Sequence, residues 1–295
     1  METKLEPALY VTATPIGNLG DITARAREVL CRVDQVAAED TRHTAPLLRH
    51  IGSRARLLAA HEHNEEEAAQ RIIAHLQQGE AVALVSDAGT PAVSDPGARI
   101  VARVRAAGLR VVPLPGPCAA IAALSASGIC APHWLFYGFL PAREKALEAA
   151  LAELAALAEL RALPCALIFH EAPHRIVATV HAMEKAFGGT RRIVLAREIS
   201  KLFETIHAAP LAEAATWLEA DPQRQKGEFV LILDAPEAST ENPLEESERV
   251  LRILLSAGLP LKQAVALTRE IAGGNKNALY AQALELKEKQ DMQDG

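Results

Sequence analysis

The chain has 295 residues, too many for one average domain and suited to two with an appendage; 49% are apolar and only 4% aromatic, so aliphatic cores are expected. A net charge of −6 and a pI near 6.0 exclude a surface coated in basic charge, which leaves nucleic-acid binding to a local patch. The cysteines (Cys31, Cys118, Cys130, Cys165) form no C-x-x-C pair, the N-terminus lacks an apolar signal core, and no apolar run reaches membrane-spanning length. A soluble cytoplasmic protein with reduced thiols and no membrane contact is expected.

In chain order, strands are predicted at Ala8–Thr14, Gln35–Ala38, Arg56–Ala60, Ala81–Ser86 and Arg110–Leu114. Helical stretches separate them at Ile22–Arg32, Thr44–Ile51, Glu65–Gln78 and Gly97–Ala107, with Gly108 placed to end the last. This alternation predicts a mainly parallel sheet. Leu114-Pro-Gly-Pro117 then turns into an Ala-rich helix, Cys118–Ser127. After a Ser-Gly-Ile-Cys-Ala-Pro break, with a domain boundary near residue 130, a strand is predicted at Trp134–Leu140 and a strong helix at Arg143–Leu163. Strands follow at Cys165–His170, Arg192–Ala196, Glu204–Ala208 and Glu228–Leu233, with helices at His174–Phe187 and Pro210–Glu219. The connection before Glu204 is too short for a helical crossover, so some antiparallel pairing is expected. Residues 235–243 read as a linker. Three short helices follow at roughly 244–257, 260–272 and 275–289, either a helix-turn-helix module or a helical cap. Across 258–289 Lys262, Arg269, Lys276, Lys287 and Lys289 face Glu270, Glu285 and Glu288, a local charge of +2 against the sign of the whole chain. The reading is therefore an N-terminal α/β domain over 1–130, a second over 131–235 and a helical module over 241–295.

Several chemistries are excluded. No G-x-G-x-x-G follows the first strand, and there is no G-x-x-x-x-G-K-[ST] and no G-x-S-x-G. His61-x-His63 and His170-x-x-x-His174 have neither a cysteine pair nor H-E-x-x-H beside them, so no metal is expected.

The most informative stretch is Ser86-Asp-Ala-Gly-Thr-Pro-Ala-Val-Ser-Asp-Pro-Gly97, directly after an apolar strand. Open α/β sheets bind ligands where parallel strands end. A loop this rich in glycine and small residues brings main-chain N–H and C=O groups close to a small molecule. Asp87 and Asp95 either hold amino or hydroxyl groups or brace the turn. Thr12–Thr23 after the first strand and Pro115-Gly-Pro-Cys-Ala-Ala-Ile121 after the fifth are further strand-end loops, the second leading into a helix N-terminus with free N–H donors. Polar clusters also stand at strand ends: Ala38-Glu-Asp-Thr-Arg42, His61-Glu-His-Asn-Glu65 and His170-Glu-Ala-Pro-His-Arg175. They are read as lining one cleft, with Glu39, Asp40, Arg42, Glu171 and Arg175 as catalytic candidates and a carboxylate as the base.

These loops, with Gly227-Glu-Phe-Val-Leu-Ile232, resemble the tetrapyrrole methylase superfamily. Within it, Thr14-Pro-Ile-Gly-Asn-Leu-Gly-Asp-Ile-Thr23, the two acidic clusters, Phe136-Tyr-Gly-Phe-Leu-Pro141, Arg197-Glu-Ile-Ser-Lys-Leu-Phe-Glu204 and Lys276-Asn-Ala-Leu-Tyr280 resemble the bacterial small-subunit ribosomal RNA cytidine 2′-O-methyltransferases. The resemblance spans nearly the whole chain. It implies two α/β domains with an S-adenosylmethionine cleft between them, a homodimer, and the small ribosomal subunit or its RNA as substrate, methylated on a decoding-centre cytidine. Carried over by position, Pro15, Ile16, Asp87, Gly89, Thr90, Val93, Asp95, Cys118, Ala119 and Phe169 are implied to bind the cofactor. RNA contacts are expected at Arg143, Lys262, Arg269 and Lys276. The family often carries a basic run after Phe-Leu-Pro141, where this chain has only Arg143 and Lys145 before an Ala/Leu/Glu helix. The competing expectations are methylation of a tetrapyrrole or a protein side chain on the same scaffold, or a non-catalytic ribosome-binding protein.

Overall fold

A computed structural model describes residues 5–160, 165–236, 243–256 and 259–291. It divides into two compact units, Met1–Ala235 and Pro236–Gly295. The boundary expected near residue 130 falls inside the first unit.

The first sheet takes β1 (Leu9–Thr12), β2 (Gln35–Ala38), β3 (Arg56–Ala59), β4 (Val82–Val85) and β5 (Val111–Leu114) in the order β3-β2-β4-β1-β5, all parallel. Period-two alternation sends adjacent strand residues to opposite faces. Tyr10, Val36, Ala83 and Val85 meet α1 (Ala24–Arg32) and α2 (Thr41–Ile51) through Val29, Leu30, Leu48 and Ile51. Leu9, Ala37, Val82 and Leu84 meet α3 (Glu65–Gln77) and α4 (Ala98–Ala106) through Ile72, Leu76, Ile100 and Val104. Pro113 is tolerated because β5 is an edge strand. Helix α2 starts three residues before the expected Thr44, because Asp40 accepts the Arg42 N–H and caps it there.

The second sheet is mixed. It takes β6 (His133–Phe139), β7 (Cys165–Glu171), β8 (Arg192–Arg197), β9 (Thr205–Pro210) and β10 (Phe229–Leu233) in the order β6-β7-β10-β8-β9. Only β6 and β7 run parallel; β10 is antiparallel to β7 and β8, and β8 to β9. One face packs on α6 (Glu144–Leu160), α7 (Ile176–Phe187) and α8 (Leu211–Glu219) through Leu151, Val180, Met183 and Leu218. The other face is covered by α5 (Ala119–Ala126), whose Ala120 and Ala123 meet Ile168, Val194 and Val230. Alanines at these positions let α5, which follows the last strand of the first sheet, lie close on the second. Its N-terminus therefore sits between the carboxyl ends of one sheet and the face of the other.

The second unit contains α9 (Pro243–Ser256), α10 (Leu261–Ala272) and α11 (Lys276–Asp291) around Leu251, Ala264, Val265, Leu279 and Ala283. No helix among the described residues is long and apolar enough to cross a membrane.

Candidate active site

In the first sheet β1 lies between β4 and β5, so the loops after these three strands emerge side by side and are tied together. Thr14 and Gly89 exchange backbone hydrogen bonds of 2.9 and 3.0 Å, and the Thr14 hydroxyl donates to the Ser86 carbonyl at 3.2 Å. The Thr90 hydroxyl donates to the Pro117 carbonyl at 2.9 Å. A Cβ on Gly116 would lie 2.8 Å from that of Ala13, so only glycine permits this approach. In the loop after β4, Ala92 and Ser94 both have positive φ, at 65° and 63°, strain that persists only where the surroundings fix the backbone.

Against these loops stands the second sheet, enclosing a cavity of about 320 Å³. Ile16, Ala88, Gly89, Thr90, Val93, Ser94, Asp95, Cys118 and Ala119 line one side. Phe139, His170, Glu171, Ala172, Pro173, Ile199, Glu228, Phe229 and Val230 line the other. A register shift in β6 between Phe136 and Gly138 gives Gly138 a φ of 82°; a Cβ there would lie 2.9 Å from the Ser94 hydroxyl. The bulge thus admits the loop after β4 against the second sheet. The β8–β9 connection closes over the same region: the Ser200 hydroxyl donates to Asp21, and Lys201 pairs with Glu198 at 3.0 Å and Glu228 at 2.9 Å.

Three expected cofactor residues stand away from the cavity wall. Phe169 is fully buried in the helix-side core, because alternation along β7 turns its neighbour His170 to the cavity instead. Asp87 does not line the cavity: its carboxylate accepts the Asp40 N–H at 3.0 Å and braces the turn. Pro15 does not line the cavity, whereas Ile16 does. Ser94 and His170, which belong to segments read as lining the cleft, and Phe139, Ile199 and Glu228 were not named as cofactor residues. The alternation of β7 marks His170, and Ile199 and Glu228 lie in motifs already evident in the sequence.

The catalytic candidates separate in the same way. Glu171 lines the cavity but its side chain is fully buried and occupied: it accepts from Thr179 Oγ1 at 2.6 Å, Ala172 N at 2.8 Å and Arg175 Nη2 at 3.2 Å. Arg175 also donates to the Leu140 and Pro141 carbonyls, so this pair fastens α7 to the end of β6. Asp40 is held ionised, with the carboxyl pulled down to about 2 by the hydrogen bonds of Arg42. Glu39 differs, because burial and the Asp87 carboxylate push its pKa up. Burial, then the charge of Glu39, raise Asp95 to about 6, with Asp87 adding and the Ser86 hydroxyl opposing. Burial lowers the pKa of His170, against the pull of the Glu228 carboxylate, and so favours its neutral form. Arg143 is exposed at the start of α6. Lys262 and Arg269 are exposed seven residues apart on one stripe of α10, and Lys276 is exposed at the start of α11.

Residues 8–215 match the model of the Tetrapyrrole (Corrin/Porphyrin) Methylases, and residues 241–287 match that of an RsmI C-terminal HTH domain. A protein of Escherichia coli O157:H7 named Ribosomal RNA small subunit methyltransferase I is 51% identical over 277 residues, covering 94% of each chain. A Pseudomonas aeruginosa protein of the same name is 51% identical over 280 residues, covering 94% of this chain and 96% of its own. The crystal structure of uroporphyrin-III-C-methyltransferase from Thermus thermophilus superposes with a TM-score of 0.54 at 18% identity, covering 78% of this chain and all of that one. That of the methyltransferase CobJ gives 0.56 at 19%, covering 77% and 94%. At such identities these two structures establish the shared fold.

Proposed function

The chain belongs to the tetrapyrrole methylase family, and from that premise we propose that it methylates the ribose 2′-hydroxyl of a decoding-centre cytidine in small-subunit ribosomal RNA. It is an S-adenosylmethionine-dependent methyltransferase. The observation that carries the choice of substrate is the continuous identity of about half the residues with proteins named for small-subunit ribosomal RNA, along 94% of the chain.

The residues lining the cavity fit this cofactor. Among those described, no lysine or arginine lines it; most of the wall is small or apolar, and beside His170 and the occupied Glu171 the ionisable groups on it are the carboxylates of Asp95 and Glu228. Such a lining suits a ligand that combines a flat heterocycle with a positive centre. Ile16, Gly89, Thr90, Val93, Cys118 and Ala119 would hold it, with Asp95 supplying negative charge. When bound, S-adenosylmethionine supplies an electrophilic methyl group. The chain's own task is to hold the ribose hydroxyl in line and take up its proton. Positioning of this kind lowers a barrier by about 7–11 kcal/mol in favourable cases. With Glu171 occupied and Asp40 committed to Arg42, proton uptake falls to Glu39, which stands outside the cavity lining at the end of β2 but close enough for its charge to act on the lining carboxylate Asp95. His170 stands on the opposite wall, its burial favouring the neutral imidazole.

Arg143, the α10 stripe of Lys262 and Arg269, and Lys276 at the start of α11 would contact RNA phosphates. A homodimer is supported by β6, an edge strand that exposes Trp134, Leu135, Tyr137 and Phe139. The substrate places the protein in the cytoplasm. The test is transfer of labelled methyl to small subunits lacking the modification, followed by mapping of the nucleotide. Label on a cytidine 2′-oxygen is expected; label on a base, or none, overturns the reading.

A further inference from the structure

The cluster His61-Glu-His-Asn-Glu65 does not line the cavity, yet its last residue reaches the loop that does. The N-cap residue of α4 is Gly97, which has no side chain with which to cap it. Glu65, only 9% exposed at the start of α3, accepts the Gly97 N–H at 2.7 Å from 32 residues upstream. Its second oxygen lies 3.8 Å from the exposed Arg99 guanidinium. A carboxylate at a helix N-terminus both satisfies a free N–H and meets the positive end of the dipole. The approach to α3 is itself braced, with the Asn64 side chain accepting from His61 N at 2.8 Å and donating to the Ala59 carbonyl at 3.2 Å.

The loop 86–97 is thus pinned at its start by Asp87 to Asp40 and Gly89 to Thr14, in the middle by Thr90 to Pro117, and at its end by Glu65. Between the last two pins lie the positive-φ residues Ala92 and Ser94 and the cavity carboxylate Asp95. Each such backbone conformation costs about 1–3 kcal/mol, so a loop released at one end relaxes. We propose that Glu65 is a positioning residue of the cofactor site, capping α4 from α3 and so holding Ser94 and Asp95 at the wall. This rests on the reading of the cavity as the S-adenosylmethionine site.

The test compares full-length wild type with Glu65→Ala, Glu65→Asp and Glu65→Gln. The measurements are S-adenosylmethionine affinity by calorimetry, amide exchange across 90–99, and Tm. Glu65→Ala is expected to weaken affinity about tenfold and to speed exchange over 92–97. Glu65→Asp, one methylene too short, should do the same more mildly if the alanine variant does not fold. Glu65→Gln keeps an acceptor oxygen and should restore affinity to within about twofold. A lower Tm with wild-type affinity and exchange would reduce Glu65 to an ordinary helix cap and overturn the proposal. A wild type that binds no S-adenosylmethionine overturns the reading of the cavity instead, and the exchange comparison then decides the clamp by itself.

Discussion

Four carboxylates at the ends of β2 and β4 have been given different tasks by their surroundings. Asp40 is ionised and caps α2, Asp87 braces the turn, and Glu39 and Asp95 resist ionisation because they are partly buried near one another. Glu39→Gln is expected to lower kcat by about 10²–10⁴-fold with little change in cofactor affinity, the range for loss of a general base. Asp40→Ala should lower Tm and leave kcat closer to wild type; equal losses in kcat would refute the assignment. For Asp95 the sign follows from linkage. With a folded pKa of about 6, the native state binds a proton that the unfolded state has already lost between pH 4 and 6. Stability therefore falls as pH rises through that window. Asp95→Asn should stabilise by roughly 1 kcal/mol at pH 7, after allowing for solvent screening, and by much less at pH 4, while weakening cofactor binding. Denaturant titrations at the two pH values check this.

At the scale of elements, the cavity exists because loops from two sheets approach at positions that tolerate no side chain. Gly138→Ala combines a left-handed backbone with a methyl 2.9 Å from the Ser94 hydroxyl, and should cost about 1–2 kcal/mol in urea unfolding. Adding Ser94→Ala should recover the steric part and leave the backbone part, a positive coupling in the double-mutant cycle. The strands, the helices and the strand-end loops were legible from period-two and 3.6 patterns punctuated by glycine and proline. The start of α2 was not, since Asp40, which caps it, stands in the polar cluster 38–42 that was read as lining the cleft. The bulge in β6 was not legible either, because only the contact with Ser94 explains a glycine there. His170 in place of Phe169 was available from strand alternation, but positional likeness pointed to its neighbour.

For the molecule as a whole, a chain with net charge −6 can bind RNA only where cations are gathered. Replacing Lys262, Arg269 and Lys276 together by alanine should reduce the steepness of log K against log salt by about 2, on roughly 0.7 per phosphate contact. Deleting 241–295 should weaken RNA binding far more than S-adenosylmethionine binding, since the cavity is lined from residues 16 to 230. Filter binding across a salt series, with calorimetry for the cofactor, measures both; equal RNA affinity after truncation would make the helices a cap.

Local order along the chain was enough to indicate the α/β class, the parallel run of β1 to β5 and the mixed second sheet, because periodicity and turn chemistry act over a few residues; the family was indicated by the resemblance of its motifs. Which atoms face the cavity was decided only in three dimensions. Asp87 was taken up by the Asp40 N–H, Glu171 was consumed by Thr179 and Arg175, and Glu65 reached across 32 residues to Gly97. Each of these outcomes depends on a hydrogen-bond partner or a buried charge brought close by packing, and sequence spacing carries no measure of that distance.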